Sequence, residues 1–138
     1  MERDRHPVVE RARLALGTRF RPQGRSIEDG LDCVGLAALA FGVAEADVPR
    51  DYAMRGTKPG TLARLLSAHG LAAVEDGDLR AGDLAVFEPG PRQVHLAIVA
   101  GATLIHADMG LRRIVERPLP APWPLAGLWR LRAEGEQG

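Results

Sequence analysis

The chain has 138 residues, of which 46% are hydrophobic and 26% charged, a size and composition that predict one globular domain over residues 1–138. Basic and acidic residues number 18 each, and the formal net charge of +0 argues against a general nucleic-acid binder, whose affinity depends on many basic phosphate contacts, while leaving a local basic patch open. The single cysteine excludes an internal disulfide. Because no signal-peptide pattern and no apolar run of roughly 20 residues is present, we expect a protein made in the cytoplasm, without a membrane span.

The first half of the chain predicts three helices, each opened by a residue typical of a helix start and closed by a glycine. Their limits are Pro7 to Gly17, Asp32 to Gly42 and Thr61 to Gly70, with Asp32 and Thr61 as N-caps. The second helix is apolar on nearly all sides and should therefore be buried. Residues 18–30 and the stretch through Pro49 and Tyr52 are predicted as loops, and residues 133–138 as a frayed tail.

The second half of the chain predicts short strands, because its apolar residues alternate or cluster between glycines and prolines. The predicted strands are Leu71–Val74, Asp83–Glu88, Val94–Ala100, Thr103–Ala107, Arg112–Glu116 and Gly127–Leu131. Helices followed by strands indicate an α+β fold with an antiparallel sheet.

Cys33 directly follows the N-cap Asp32 and so occupies the first turn of a helix. The helix dipole favours a thiolate there and should lower the thiol pKa. The small residues Gly30 and Gly35 would leave room for a substrate to approach. The alternative is a packed hydrophobic side chain, since free cysteine is among the most buried residue types. This segment alone leaves both interpretations open.

His95 and His106 lie on two predicted strands joined near Gly101. A hairpin turn centred between Ala100 and Gly101 would place the two histidines directly opposite each other on one sheet face, with Cβ atoms about 4.5–5.5 Å apart. A thiol nucleophile needs an imidazole base, and that base needs a group to orient it, so His95 could serve as the base and His106 as the orienter. Two alternatives stay open: half-exposed histidines bonded to water, and a three-ligand metal site with Cys33.

Three stretches in order resemble the NlpC family of papain-like cysteine peptidases. They are GLDCVGL at 30–36, RAGDLAVFE at 80–88 and VHLAIVAGATLIHA at 94–107. The order of the cysteine and the two histidines is similar to the family's, and the resemblance extends from Val8 to about Leu131. It implies helices packed on an antiparallel sheet, Cys33 as the nucleophile, His95 as the base, His106 as the orienting residue, and no cofactor or metal.

The resemblance also implies a substrate and a setting. The substrate would be the peptidoglycan stem peptide, cut at the amide between D-γ-glutamate and meso-diaminopimelate or lysine. The compact form looks most like members encoded in prophage and gene-transfer-agent tail modules. Phage-like tail or baseplate proteins would then be partners, and the protein would act on the cell wall or periplasm without a signal peptide.

Two positions depart from the family pattern: Val34 replaces the usual serine after the cysteine, and Phe20 replaces a tyrosine of the cleft. Phe20, Arg21 and Arg25 are predicted as substrate contacts, the arginines by binding stem-peptide carboxylates. The alternatives are a thiol amidase or acyltransferase on the same fold, and a non-catalytic structural component of a tail tip.

Overall fold

The structure is a computed structural model that describes residues 6–44, 47 and 59–132. Its helices and strands are α1 (Pro7–Leu14), β1 (Arg25–Ser26), β2 (Gly30–Leu31), α2 (Cys33–Ala40), α3 (Pro59–Ala68), β3 (Leu71–Ala73), β4 (Leu84–Phe87), β5 (His95–Val99), β6 (Thr103–Asp108), β7 (Arg113–Pro118) and β8 (Leu125–Leu131). The predicted α+β class with an antiparallel sheet in the second half is confirmed, while the short strands β1 and β2 between α1 and α2 were not predicted. The predicted loop through Pro49 and Tyr52 and the predicted tail at 133–138 lie outside the described residues.

Six strands form one antiparallel sheet in the order β3-β8-β4-β5-β6-β7. One face of this sheet packs against the helices through residues such as Leu84, Ile98 and Ile105. The opposite face carries a second apolar cluster that includes Ala97 and Leu104. Both faces of the central strands are therefore buried, which is why these segments are almost continuously apolar.

The start of α2 is the predicted one, whereas the start of α3 is not. Asp32 caps α2 as expected, and its side chain accepts a hydrogen bond from the backbone N–H of Gly35 at 2.8 Å. The predicted cap at Thr61 is wrong, because α3 begins two residues earlier, at Pro59. Proline is favoured in the first helical turn, where its missing N–H has no helical partner to lose. No helix of the described segments is long and apolar enough to cross a membrane.

The hairpin between β5 and β6 has a different register from the predicted one. His106 pairs with Ala97, so His95 is its diagonal neighbour rather than its direct partner. The turn is centred between Gly101 and Ala102, and the N–H of Ala100 bonds to the carbonyl of Thr103 at 2.8 Å. Gly101, with φ +104, thus takes the first central position, where primed turns favour glycine. Because the offset is two residues, both histidines still point to the predicted common face.

Candidate functional site

The loop before α2 is fixed to the helix start by one carboxylate. Asp32 Oδ1 accepts hydrogen bonds from the Gly35 N–H and from the Arg25 guanidinium, both at 2.8 Å, and Oδ2 accepts from the Gln23 N–H at 2.8 Å. The side chain of Arg25 is 0% exposed in this ion pair. Asp32 therefore does more than cap the helix, because it also sets the position of the chain on one side of Cys33.

The glycines around Cys33 serve the packing of this loop rather than the entry of a substrate. A Cβ on Gly35 would lie 2.1 Å from the carbonyl oxygen of Gly24, and one on Gly30 would lie 2.8 Å from the Cβ of Arg21. The expectation that Gly30 and Gly35 leave room for a substrate is thus wrong. Their missing side chains let the loop backbone lie directly against α2.

A groove of about 680 Å³ brings the predicted nucleophile and both histidines to one surface. Its lining residues are Phe20, Pro22, Gln23, Asp32, Cys33, Pro89, Gln93, Val94, His95, His106, Ala107, Asp108, Met109, Gly110 and Trp123. Cys33 belongs to the core on the helical side of the sheet, whereas the imidazoles lie on the other face. They meet at this groove because His95 is the first residue of β5, at the end of the strand.

Cys33 is a neutral thiol in this environment. It is 5% exposed, and burial raises its pKa to about 12, helped by the nearby charge of Asp32. The backbone N–H groups of Leu96 and of Cys33 itself act in the opposite direction and lower the pKa. The predicted lowering of the thiol pKa is wrong, because desolvation of a thiolate outweighs the effect of these N–H groups.

The two imidazoles form a hydrogen-bonded pair. Nε2 of His95 and Nδ1 of His106 are 2.9 Å apart, and the rings meet edge to face with centroids 5.0 Å apart. The other nitrogen of His95, Nδ1, makes no hydrogen bond within the part of the chain that the structure describes, which leaves it available to the groove that His95 lines. If His95 donates from Nε2, its Nδ1 carries the lone pair that a general base needs.

Both imidazoles are neutral at physiological pH. Burial, and to a lesser extent the neighbouring His106, lower the pKa of His95 to about 4, while Asp108 acts to raise it. Burial also lowers the pKa of His106. Because the Cys33 thiol and both imidazoles of this groove are neutral, a thiolate–imidazolium pair is not the resting state here.

Trp123 lines the groove next to both imidazoles, a position that the sequence does not predict. Its indole ring packs against His95, with centroids 4.8 Å apart, and against His106, at 5.3 Å. The residue follows β7 in a proline-rich stretch, where a tryptophan is ordinarily read as packed on its own core. Only the arrangement of the strands shows that this part of the core contains the two histidines.

The three predicted substrate contacts have different places. Phe20 lines the groove, half-buried. Arg21 is exposed and is not among the lining residues. Arg25 is buried against Asp32, so its guanidinium holds the loop instead of facing a carboxylate in the groove. Arg25 therefore stabilises the loop, and its predicted position on the surface is wrong.

The metal alternative has no geometric support. Within residues 6–44, 47 and 59–132, no group of three or more histidine, cysteine, aspartate or glutamate side chains is arranged to hold a metal ion. Cys33, His95 and His106 line one groove, but the two histidines are hydrogen-bonded to each other instead of being arranged around a metal position.

The fold is that of NlpC/P60 proteins, as comparison with solved structures shows. NlpC1 from Trichomonas vaginalis superposes with a TM-score of 0.66 at 22% identity over 94% of this chain. The P60 domain of a Mycobacterium avium subspecies paratuberculosis antigen gives 0.61 at 21% identity over 94%, and the peptidoglycan hydrolase RipB from Mycobacterium tuberculosis gives 0.59 at 19% over 95%.

The chain spans 44% of NlpC1 and 65% of RipB, but 95% of the P60 domain. No family model and no curated protein matches the sequence. At about 20% identity, what these comparisons establish is the shared fold.

Proposed function

We propose that this protein is a cysteine peptidase that hydrolyses an amide bond in the stem peptides of peptidoglycan. The observation that carries the proposal is the groove that Cys33 and the hydrogen-bonded pair His95 and His106 line together. The fold shared with a peptidoglycan hydrolase supports the substrate class. Cys33 acts as the nucleophile, His95 as the base and His106 as the residue that orients the base.

The proposed reaction begins from the neutral pair. His95 Nδ1 takes the proton of the Cys33 thiol as the sulfur attacks the amide carbonyl, and the backbone N–H groups near the sulfur stabilise the oxyanion. Protonated His95 stays in contact with His106 Nδ1 and then gives its proton to the leaving amine. Water hydrolyses the acyl-enzyme, with His95 again as base. Asp108, which raises the pKa of both imidazoles, favours the protonated form of His95 in the middle of this cycle.

The finer details rest on the sequence resemblance. We propose that the bond cleaved lies between D-γ-glutamate and the following diamino acid, and that the protein acts as part of a phage-like tail that meets the cell wall. The groove offers this substrate an aromatic side chain, Phe20, together with polar groups such as Gln23 and Gln93.

The first prediction is that Cys33→Ala abolishes release of cleaved muropeptides from purified sacculi. Without the sulfur no acyl-enzyme can form, so we expect a loss of at least about 1000-fold in rate. The measurement is mass analysis of the soluble products, which also identifies the bond that is cut. Leu14→Ala, an exposed change on α1 outside the groove lining, is the matched control and should keep full activity. Undiminished cleavage by the folded Cys33→Ala variant would rule out the mechanism.

A non-catalytic tail component is the second candidate, favoured by the depth of Cys33 and by its raised pKa. In that case a folded wild-type protein would release no product from sacculi or from synthetic stem peptides. A thiol amidase or acyltransferase would instead transfer the acyl group to an added amine or lipid acceptor, which the same mass analysis detects.

A further inference from the structure

Trp123 is held firmly in place although it lies between strands. It belongs to the segment that joins β7 to β8. The N–H of Leu119 donates to the carbonyl of Ala102, and the N–H of Glu88 donates to the carbonyl of Pro124, both at 3.0 Å. These two bonds tie both ends of the segment to neighbouring parts of the sheet. The indole is thus part of the site's fixed wall.

The indole has aromatic or cationic neighbours on several sides. Besides the two imidazoles it contacts Phe87, with ring centroids 5.6 Å apart and planes inclined at 58°. The guanidinium carbon of Arg117 lies 5.7 Å from the indole centroid, within range of a cation–π interaction. Phe87 is the strand partner of His95, so the same β4–β5 pairing positions both rings beneath the tryptophan.

His106 supplies the second observation. The residue is 2% exposed, and its Nε2 atom is buried without a hydrogen-bond partner in the described part of the chain. A buried imidazole nitrogen normally finds a partner, so this one calls for an explanation. The plane of His106 is inclined at 71° to that of Trp123. Such an edge-to-face arrangement suits an N–H directed at a π face.

We propose that Trp123 is a positioning residue that keeps the two imidazoles in their edge-to-face arrangement and shields them from water. As a result, His95 donates from Nε2 and presents Nδ1 to the thiol. With water excluded, His106 Nε2 has the indole rather than a solvent molecule beside it, and its proton stays there. His106 Nδ1 must then accept, which fixes the tautomer of His95. The assignment of a base to Nδ1 rests on the proposed function, whereas the effect of the indole on the imidazoles does not.

Removal of the indole should change how the histidines titrate. The charged or titratable groups around the pair are Asp108 on β6, Arg117 on β7 and Cys33 on α2. None of these is removed by a substitution at Trp123, whereas part of the apolar cover is. Because burial is the largest cause of the low pKa of His95, we expect that pKa to rise from about 4 toward its ordinary 6.5 in Trp123→Ala.

The test compares Trp123→Ala, Trp123→Phe and Trp129→Phe by NMR titration of the imidazole signals, which needs no substrate. Trp129 on β8 is the matched control, since it packs on the helical side of the sheet. We expect the His95 pKa to rise by about one unit or more in Trp123→Ala, by less in Trp123→Phe, and not at all in the control. An unchanged His95 pKa in a folded Trp123→Ala protein would overturn the proposal. Should that variant not fold, an unchanged pKa in Trp123→Phe would decide against it in the same way.

Steady-state kinetics on stem peptides separate positioning from substrate binding. Trp123→Ala should lower kcat by about 10- to 100-fold, change KM by less than about twofold, and move the acid limb of the pH profile upward, with partial recovery in Trp123→Phe. A rise in KM alone would mean that Trp123 only contacts the substrate, and would overturn the positioning role. If the titration shifts but the wild type cleaves no peptide, the positioning inference stands and the peptidase proposal fails.

Discussion

Cys33 shows how burial and a helix start compete at a single residue. The first turn of α2 offers backbone N–H groups, yet the thiol is almost completely buried and its pKa is raised to about 12. A position that is favourable for an anion in isolation becomes unfavourable once the anion would lose its water. In the proposed mechanism, the sulfur therefore becomes reactive only when His95 takes its proton.

This balance predicts slow alkylation of Cys33 in the folded protein. Because the thiol is neutral below its pKa, the rate with iodoacetamide should be far below that of an ordinary thiol at pH 7 and should keep rising up to about pH 12. The measurement is the second-order rate of labelling of Cys33 as a function of pH. The same chain unfolded in urea is the control and should show the profile of an ordinary thiol. Rapid labelling below pH 7 would mean that a thiolate–imidazolium pair exists at rest, against the neutral pair described above.

At the scale of elements, the site depends on the contact between the loop 18–30 and the start of α2. The short β1–β2 pair, with Arg25 opposite Leu31, bends the loop back on itself. Asp32 then fastens the loop to the helix, and Gly24 and Gly35 allow the two backbones to touch. One edge of the groove is thus built by backbone contact, which tolerates no added side chain.

Gly35→Ala should destabilise the protein although it lies inside a helix. Alanine ordinarily stabilises a helix by up to about 1 kcal/mol relative to glycine, but here its Cβ would lie 2.1 Å from the Gly24 carbonyl oxygen. We expect a net loss of about 2 kcal/mol or more in the free energy of unfolding, measured by urea denaturation.

Gly60→Ala on α3 is the matched control for this prediction. Among the described residues, a Cβ there would meet the Arg64 guanidinium alone, at 3.7 Å, so the variant should be neutral or gain up to about 1 kcal/mol. Equal effects of the two substitutions would contradict the close packing of the loop against α2.

Buried and half-buried polar groups connect the helices of the first half of the chain with the sheet of the second half. Glu116 on β7 accepts from Arg13 of α1 at 2.9 Å and from Thr103 of β6 at 2.6 Å. The hydrogen bond from Arg13 is the main reason that the pKa of Glu116 is lowered. On the other sheet face, burial keeps His95 and His106 uncharged. Lowering the pH should therefore destabilise the folded state both at Glu116 and at the two histidines.

Stability should fall as the pH is lowered from about 6.5 to about 4. In this window the unfolded chain binds protons at both histidines while folded His95, with its pKa lowered to about 4, does not, so acidification favours unfolding. The contribution of His95 is present above pH 6.5 and is lost progressively as the pH falls toward 4; it amounts to at most about 3 kcal/mol. Urea denaturation at several pH values measures this slope.

His95→Gln should flatten the dependence of stability on pH, because glutamine has no proton to gain. Leu14→Ala, an exposed change on α1 without a titratable group, is the control and should keep the wild-type slope. A slope unchanged in His95→Gln would show that this imidazole is not held neutral by the fold.

The sequence by itself determined the elements that local chemistry controls. The cap at Asp32, the order of helices and strands, and the common face of His95 and His106 follow from residue preferences and from the two-residue period of a strand. These features need no knowledge of distant contacts. The short β1 and β2 strands escaped prediction because two residues each carry no period.

Only the tertiary structure decided the properties that depend on what lies nearby in space. The register of the β5–β6 hairpin depended on which residues close the turn, and the place of Arg25 on its pairing with Asp32. The cover that Trp123 gives the imidazoles needs the β7–β8 connection to fold back over the sheet. Burial, which sets the charge state of the sulfur and of both imidazoles, is a sum over neighbours far apart along the chain, and no local pattern encodes it.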